Sequence, residues 1–270
     1  MPLYQELTKA IKNYTSGFHA VVPFESAKDK LLKLDFTESN KELSEDILND
    51  TQRFSDYINR KLNTAGALYG IGGYDEHRTI YSRSHVFGPQ TFSNSKDSSM
   101  NRTGARISPL SGQLSKARID NGVGKGAEPR RLHLGIDIWG DAGTPVYAPL
   151  EGVMHSLAFN DAYGDYGATL ILQHELEGII FHSLYGHLSL HSIEDKKEGQ
   201  VVEKGERIAA FGEPAENGHW PPHLHFQLII NMEGMKGDYP GVCKYSEREK
   251  YLANCPDADF ILNMLMHVKG

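Results

Sequence analysis

Three short stretches of this chain space their side chains in ways that could do chemistry. The first is His133-Leu134-Gly135-Ile136-Asp137. In a β-strand, residues i, i+2 and i+4 share a face, so His133 and Asp137 are expected to point the same way across Gly135, which leaves open space between them. A neutral imidazole and a carboxylate are both good ligands for a divalent metal. Alone, such a pair says little. The second stretch is His223-Leu224-His225. A period of two puts both imidazoles on one face and turns Leu224 and Phe226 into the core. Two histidines on a buried strand are costly as filler, and metal binding or catalysis offsets that cost. A satisfied surface pair is the plainer account of the motif in isolation. The third stretch, Tyr185-Gly186-His187, ends an apolar run. By itself it would hold an ordinary core or surface histidine.

Together the three stretches say more. His133, Asp137 and one histidine of the second motif supply three protein ligands. Catalytic zinc sites typically use three and keep a fourth position for water. Two histidines then remain to act on that water or on a substrate, an arrangement suited to metal-assisted hydrolysis of an amide.

The elements that must position these residues are mostly β. After Arg131, short apolar stretches such as VYAPLEGVMHSLAF, ATLILQHE, GIIFHSLYGHL and HLHFQLII are separated by glycine-rich turns. Many strands with no helix between them predict an antiparallel sheet or sandwich rather than a βαβ fold. Upstream, the spacing of Leu3, Leu7, Ala10, Ile11 and Tyr14 predicts a helix over 3–14. A capping-box pattern at Ser39 and Glu42 predicts a second, with Leu43, Ile47, Phe54, Ile58 and Leu62 on one face. Gly70, Gly72 and Gly73 read as a turn. Near the end, Ser246 and Glu249 predict a helix over 246–254, stopped by Pro256, and another over 258–267.

The expected class is therefore mainly β, α+β overall, with N-terminal and C-terminal helices. Its segments are a helical lead-in (1–87), a loop or insertion (88–127), a β domain (128–232) and a helical extension (233–270). Between about 88 and 126, Ser, Asn, Gly and Lys dominate; this stretch is either a lid over the cleft or a disordered insertion.

The 270 residues are enough to bury a core without staples. The net charge of −7 argues against a nucleic-acid binder. No apolar stretch approaches a membrane span. The opening residues hold no run long enough for a secretory leader, so the chain as written is expected in the cytoplasm. If it is a piece of a longer protein, the periplasm or cell envelope is expected instead. Cys243 and Cys255 form no CxxC pair and are expected to be free and buried. The sequence leaves the oligomeric state open.

HLGID, YGHLS and PHLHF, in that order, resemble the motifs of the lysostaphin/LytM-type metallopeptidases. AGTPVYAPLEGVM and VVEKGERIAAFGE are similar to the same family, and the likeness covers about residues 130–232. The segments GGYDEHRTIYSRS and GDYPGVCKYSEREKYLANCPD resemble a subgroup outside its standard secreted enzymes. The resemblance implies one zinc ion held by His133, Asp137 and His225, with His187 and His223 as non-ligand catalytic histidines. It implies a largely antiparallel β domain with the metal in a groove floored by the sheet, and a peptidase acting on peptide stems or cross-links of peptidoglycan. Two departures stand out: Gln227 where the family often has glutamate, and His219-Trp220-Pro221-Pro222 where glycine or serine often precedes the last motif. A non-enzymatic module binding a cell-wall peptide or a protein, and a hydrolase of a different amide, are the alternatives.

Other residues draw attention more weakly. His77 and Arg78 could reach the groove, His219 could line it, and Tyr185 could bring a hydroxyl to it, though packing is the plainer role for the tyrosine. Trp139 and Trp220 could wall the cleft or sit in the core. Asn94 or Asn101 could supply a fourth ligand from the loop.

Overall fold

The computed structural model describes residues 2–14, 17–88 and 128–269. The lid-or-insertion segment, with Asn94 and Asn101, lies outside the described residues apart from its first residue, Gly88.

Helix α1 (Leu3–Asn13) leads to strand β1 (Leu31–Leu34), helices α2 (Glu45–Leu48) and α3 (Thr51–Ala65), and strand β2 (Tyr69–Gly72). Strands β3 (Leu132–His133), β4 (Ile136–Trp139), β5 (Pro145–Tyr147), β6 (Gly152–Asn160), β7 (Gly167–Leu176) and β8 (Ile179–Leu188) follow. Then come helix α4 (His191–Glu194), strands β9 (Val201–Val202), β10 (Arg207–Ala210), β11 (His223–Ile229) and β12 (Val242–Cys243), helices α5 (Arg248–Leu252) and α6 (Asp259–Leu262), and strand β13 (Val268–Lys269).

One nine-stranded sheet dominates, in the order β13-β1-β2-β4-β11-β8-β7-β6-β9. From β2 across to β9 every neighbour is antiparallel. At the other edge β1 runs parallel to both β2 and β13. Two small two-stranded ladders, β5 with β10 and β3 with β12, flank this sheet. So the architecture is mainly β with terminal helices, built on one large sheet rather than two of equal size.

Alternation decides which side chains face the site. On β11, Leu224, Phe226 and Leu228 enter the main core with Leu7, Ile11 and Phe211. His223, His225 and Gln227 necessarily take the opposite face. On β4, Ile136 and Ile138 join the same core, which turns Asp137 and Trp139 to the side of the histidines. The amphipathic face of α1 closes this core through Leu7, Ala10 and Ile11, all fully buried. Each such apolar side chain contributes roughly 1.5–3 kcal/mol by leaving water, Ala10 less.

Several local expectations are corrected. The second helix is two helices broken at Asn49–Asp50, and α3 is capped by Asp50, whose carboxylate accepts the Arg53 N–H at 3.0 Å. Ser39 caps nothing; its N–H donates to the Thr37 hydroxyl in a turn. The 258–267 helix is interrupted at Asn263, which has φ of 51°. Ser246 caps nothing either. It lies in a short 3-10 turn and its N–H donates to Glu128, while α5 spans only Arg248–Leu252. The glycines at 70 and 72 belong to strand β2, not to a turn. Cys243 and Cys255 are both free and buried, as expected.

Candidate metal centre

Cross-strand register brings the first group together. β11 pairs with β4 so that His225 lies directly opposite Asp137 and His223 opposite Trp139. Such facing residues have Cβ atoms about 4.5–5.5 Å apart. His133 arrives differently from the expectation of one continuous strand. The chain breaks between β3 and β4, and β3 pairs with β12, placing His133 beside Val242. A bend therefore replaces the shared pleat. Gly135 sits at that bend because a Cβ there would lie 2.7 Å from both the His225 ring and the Phe226 carbonyl.

The result is a triangle of polar atoms. His133 Nε2 is 2.9 Å from His225 Nδ1 and 3.2 Å from Asp137 Oδ1. His225 Nδ1 is 3.1 Å from the same oxygen. The other nitrogen of each ring is already committed. His133 Nδ1 donates to the Gly73 carbonyl at 2.9 Å. His225 Nε2 donates to Gln227 Oε1 at 2.9 Å, and the Gln227 amide nitrogen donates in turn to the Pro240 carbonyl. In these tautomers two imidazole lone pairs and a carboxylate lone pair converge on one point. Lone pairs so close repel one another unless a cation lies among them. This donor set fits a metal ion, and it is the one such group among the described residues. The second-layer partners fix tautomer and ring orientation, as metal-ligating histidines require.

The charges agree. Burial pushes His133 down to about 3, helped by the adjacent Arg78 guanidinium. Burial would raise Asp137, but His133 and Arg78 hold its carboxyl well below the usual range. His133 and Asp137 are thus unprotonated at neutral pH, which metal binding needs.

Two more imidazoles stand beside the triangle. β8 carries two residues, Gly186 and His187, where β7 has one, a β-bulge between the pairs Tyr185–Leu170 and Leu188–Ala168. His187 takes φ of 63° there, a sparsely populated region for a residue with a side chain. Bulges beside active sites re-aim side chains. This one stacks His187 on His223, with ring centroids 4.1 Å apart. His187 Nδ1 donates to the Asn217 carbonyl and His223 Nδ1 to the Pro221 carbonyl, each at 2.8 Å. Each ring therefore keeps an Nε2 lone pair. Burial depresses both, His223 to about 4, and the neighbouring His223 lowers His187 further.

Trp139 stacks on the other side of His223 at 3.9 Å. Trp139 and Trp220 are 0% and 2% exposed, yet both line the cleft, so wall and core are the same role here. The cleft is also bounded by Tyr81, Arg130 and Tyr166 and holds Asp137, His187, His223 and His225. Tyr185 is fully buried and its hydroxyl meets Ser183, away from the cleft. His219 lies outside the lining; its ring stacks on Tyr163 and its carbonyl accepts from Thr51 and Arg83. His77 pairs through its backbone with Leu132. Arg78 does reach the site: fully buried, it donates from Nη1 to Asp137 Oδ2 at 2.5 Å. Among supporting residues, the anchoring by Gly73, Asn217 and Gln227 carried no sequence signal beyond the noted glutamine.

Residues 131–236 match the model of Peptidase family M23. An uncharacterized metalloprotease of Haemophilus influenzae is 33% identical over 138 residues, covering 49% of this chain and 27% of that protein. A DD-carboxypeptidase/endopeptidase of Neisseria meningitidis is 38% identical over 101 residues, 37% of this chain and 21% of its own length. An L-Ala–D-Glu endopeptidase of Bacillus subtilis is 30% identical over 112 residues, 40% of this chain and 32% of its own. The chain thus spans about a fifth to a third of the curated relatives it matches. Among solved structures, the catalytic domain of the antimicrobial peptidase lysostaphin from Staphylococcus simulans is 25% identical, with a TM-score of 0.32, covering 44% of this chain and 80% of that domain.

Proposed function

We propose, from the match of residues 131–236 to the model of Peptidase family M23, that the chain is a zinc-dependent endopeptidase that cuts peptide bonds in peptidoglycan stem peptides or cross-links. The observation that carries the reading is the triangle of His133, Asp137 and His225 donor atoms beside two further imidazoles whose Nδ1 atoms are committed to main-chain carbonyls. Zinc suits the triangle: tetrahedral bonds of about 2.0–2.1 Å would set ligand atoms about 3.3 Å apart, close to the 2.9–3.2 Å separations found.

Bound zinc supplies Lewis acidity toward a water and a carbonyl oxygen. The chain's own residues do the rest. His187 and His223 are neutral at pH 7, since burial lowers both, so the Nε2 of either can accept a proton from the attacking water. The imidazolium formed presents an N–H that can pass the proton to the leaving amine nitrogen. With the rings stacked at 4.1 Å, a second positive charge is disfavoured, so one histidine carries the proton while the other stays neutral. Trp139 and Trp220 exclude water from the far side of the pair. The relatives named as DD-carboxypeptidase/endopeptidase and L-Ala–D-Glu endopeptidase support peptides of the cell wall as the substrate class.

The test is digestion of purified peptidoglycan by the zinc-loaded protein, with products read by mass spectrometry and His187→Ala as control. New peptide fragments absent from the control are expected. No fragments from a zinc-loaded protein would overturn the proposed substrate and favour a binding module or a different amide.

A further inference from the structure

Arg78 lies more than fifty residues before the first ligand motif, yet its side chain ends inside the site, 0% exposed. All three of its nitrogens are used. Nη1 donates to Asp137 Oδ2 at 2.5 Å, Nη2 to the Gly73 carbonyl at 2.9 Å, and Nε to Glu76 Oε2 at 2.8 Å. The Gly73 carbonyl is the same one that accepts from His133 Nδ1. One guanidinium and one carbonyl thus hold two of the three ligands. The chain makes room for this: a Cβ on Gly72 would lie 2.7 Å from Arg78 Nη2. Backbone bonds pin the segment in place, from Asp75 N to the His133 carbonyl, from His133 N to the Glu76 carbonyl, and from Arg78 N to the Arg131 carbonyl.

A buried cation beside a cation site is electrostatically unfavourable for taking up metal. Its presence therefore calls for a different benefit. Asp137 Oδ1 faces His133 and His225, while Oδ2 is occupied by Arg78. We propose that Arg78 is a positioning residue that restricts Asp137 to one-oxygen ligation, keeping the metal at low coordination number with a place for water, and that the segment 73–78 is thereby an integral part of the metal centre. The inference rests on the metal reading above. Planar guanidinium geometry is needed for this role, because a lysine carries the charge but cannot reach three partners in a fixed fork.

The experiment loads wild type, Arg78→Lys and Arg78→Gln with zinc or with cobalt(II). Affinity is measured by chelator competition, and coordination by visible absorption of the cobalt forms, which is stronger for four-coordinate than for five- or six-coordinate ions. Arg78→Lys is expected to bind zinc about tenfold or more weakly and to show a weaker cobalt band as Oδ2 is released. Arg78→Gln, which removes the repelling charge, is still expected to bind more weakly and to lose band intensity. Metal binding with wild-type affinity and an unchanged spectrum in both variants overturns the role of Arg78 alone. A wild type that takes up neither metal overturns the metal reading itself. A crystal structure of the zinc-loaded wild type, which depends on no variant folding, is expected to show Oδ1 on the metal and Oδ2 on Arg78; both oxygens on the metal overturns the inference.

Discussion

The ligand triangle and the stacked histidine pair share one cleft but are supported by different means. His133, Asp137 and His225 are held by Gly73, Arg78 and Gln227, from widely separated parts of the chain and partly through charged side chains. His187 and His223 are held by two main-chain carbonyls, Asn217 and Pro221, within one loop. The difference fits the work proposed for each group. A ligand has to keep its lone pair fixed on one point, so rigid and charge-assisted anchors suit it. A histidine that gains and loses a proton needs its tautomer set without being driven to the charged form. A neutral carbonyl does that with less bias than a carboxylate would.

This contrast can be broken at its strongest point first. His133→Ala removes one of three ligands and is expected to abolish stoichiometric metal binding, read by elemental analysis after dialysis. One tightly held ion per chain in that variant would contradict the ligand assignment. His187→Ala is expected to keep its metal and lose hydrolysis by about 10²–10⁴-fold; retained turnover would remove His187 from the chemistry. Gln227→Ala leaves the His225 Nε2–H with only the more distant Tyr166 hydroxyl, at 3.4 Å, and is expected to weaken metal binding by about 10–100-fold. Activity should recover at saturating metal, and Gln227→Glu should bind at least as well as wild type. The smallest effect belongs to the loop. The Asn217 side chain bonds the Gly212 and Trp220 carbonyls and the Trp220 N–H. Asn217→Ala is expected to cost about 1–3 kcal/mol in denaturant unfolding and to leave metal affinity unchanged. A loss of metal there would mean that the two halves are not separately supported.

The sequence made the side-chain directions within the candidate site partly legible because each motif is short and β-periodic. His223 and His225 share a face as a strict period of two requires, and His187 ends its strand run as read. The route taken by His133 was not legible. The same spacing fits one straight strand or two strands around a bend, and only the close approach of His225 to Gly135 distinguishes them. Arg78 was noticed but not placed, since its partner Asp137 is 59 positions away and no local pattern encodes that distance. Gly72 was misread as a turn signal. It is there to clear the guanidinium, and sequence alone does not separate a glycine that bends the chain from one that makes room. The capping boxes at Ser39 and Ser246 failed because side-chain bonds in a neighbouring turn, or to Glu128, offered those backbone groups other partners.

The stacking of Trp139 on His223 has an optical consequence. The chain has two tryptophans, and both line the cleft, one face-to-face with His223 and the other edge-on to His187 at 6.1 Å. Histidine rings quench indole emission most strongly when protonated. Tryptophan emission, excited selectively over the thirteen tyrosines, is therefore a signal from the cleft, and a titration with metal, acid or peptide can be followed there without attaching any dye.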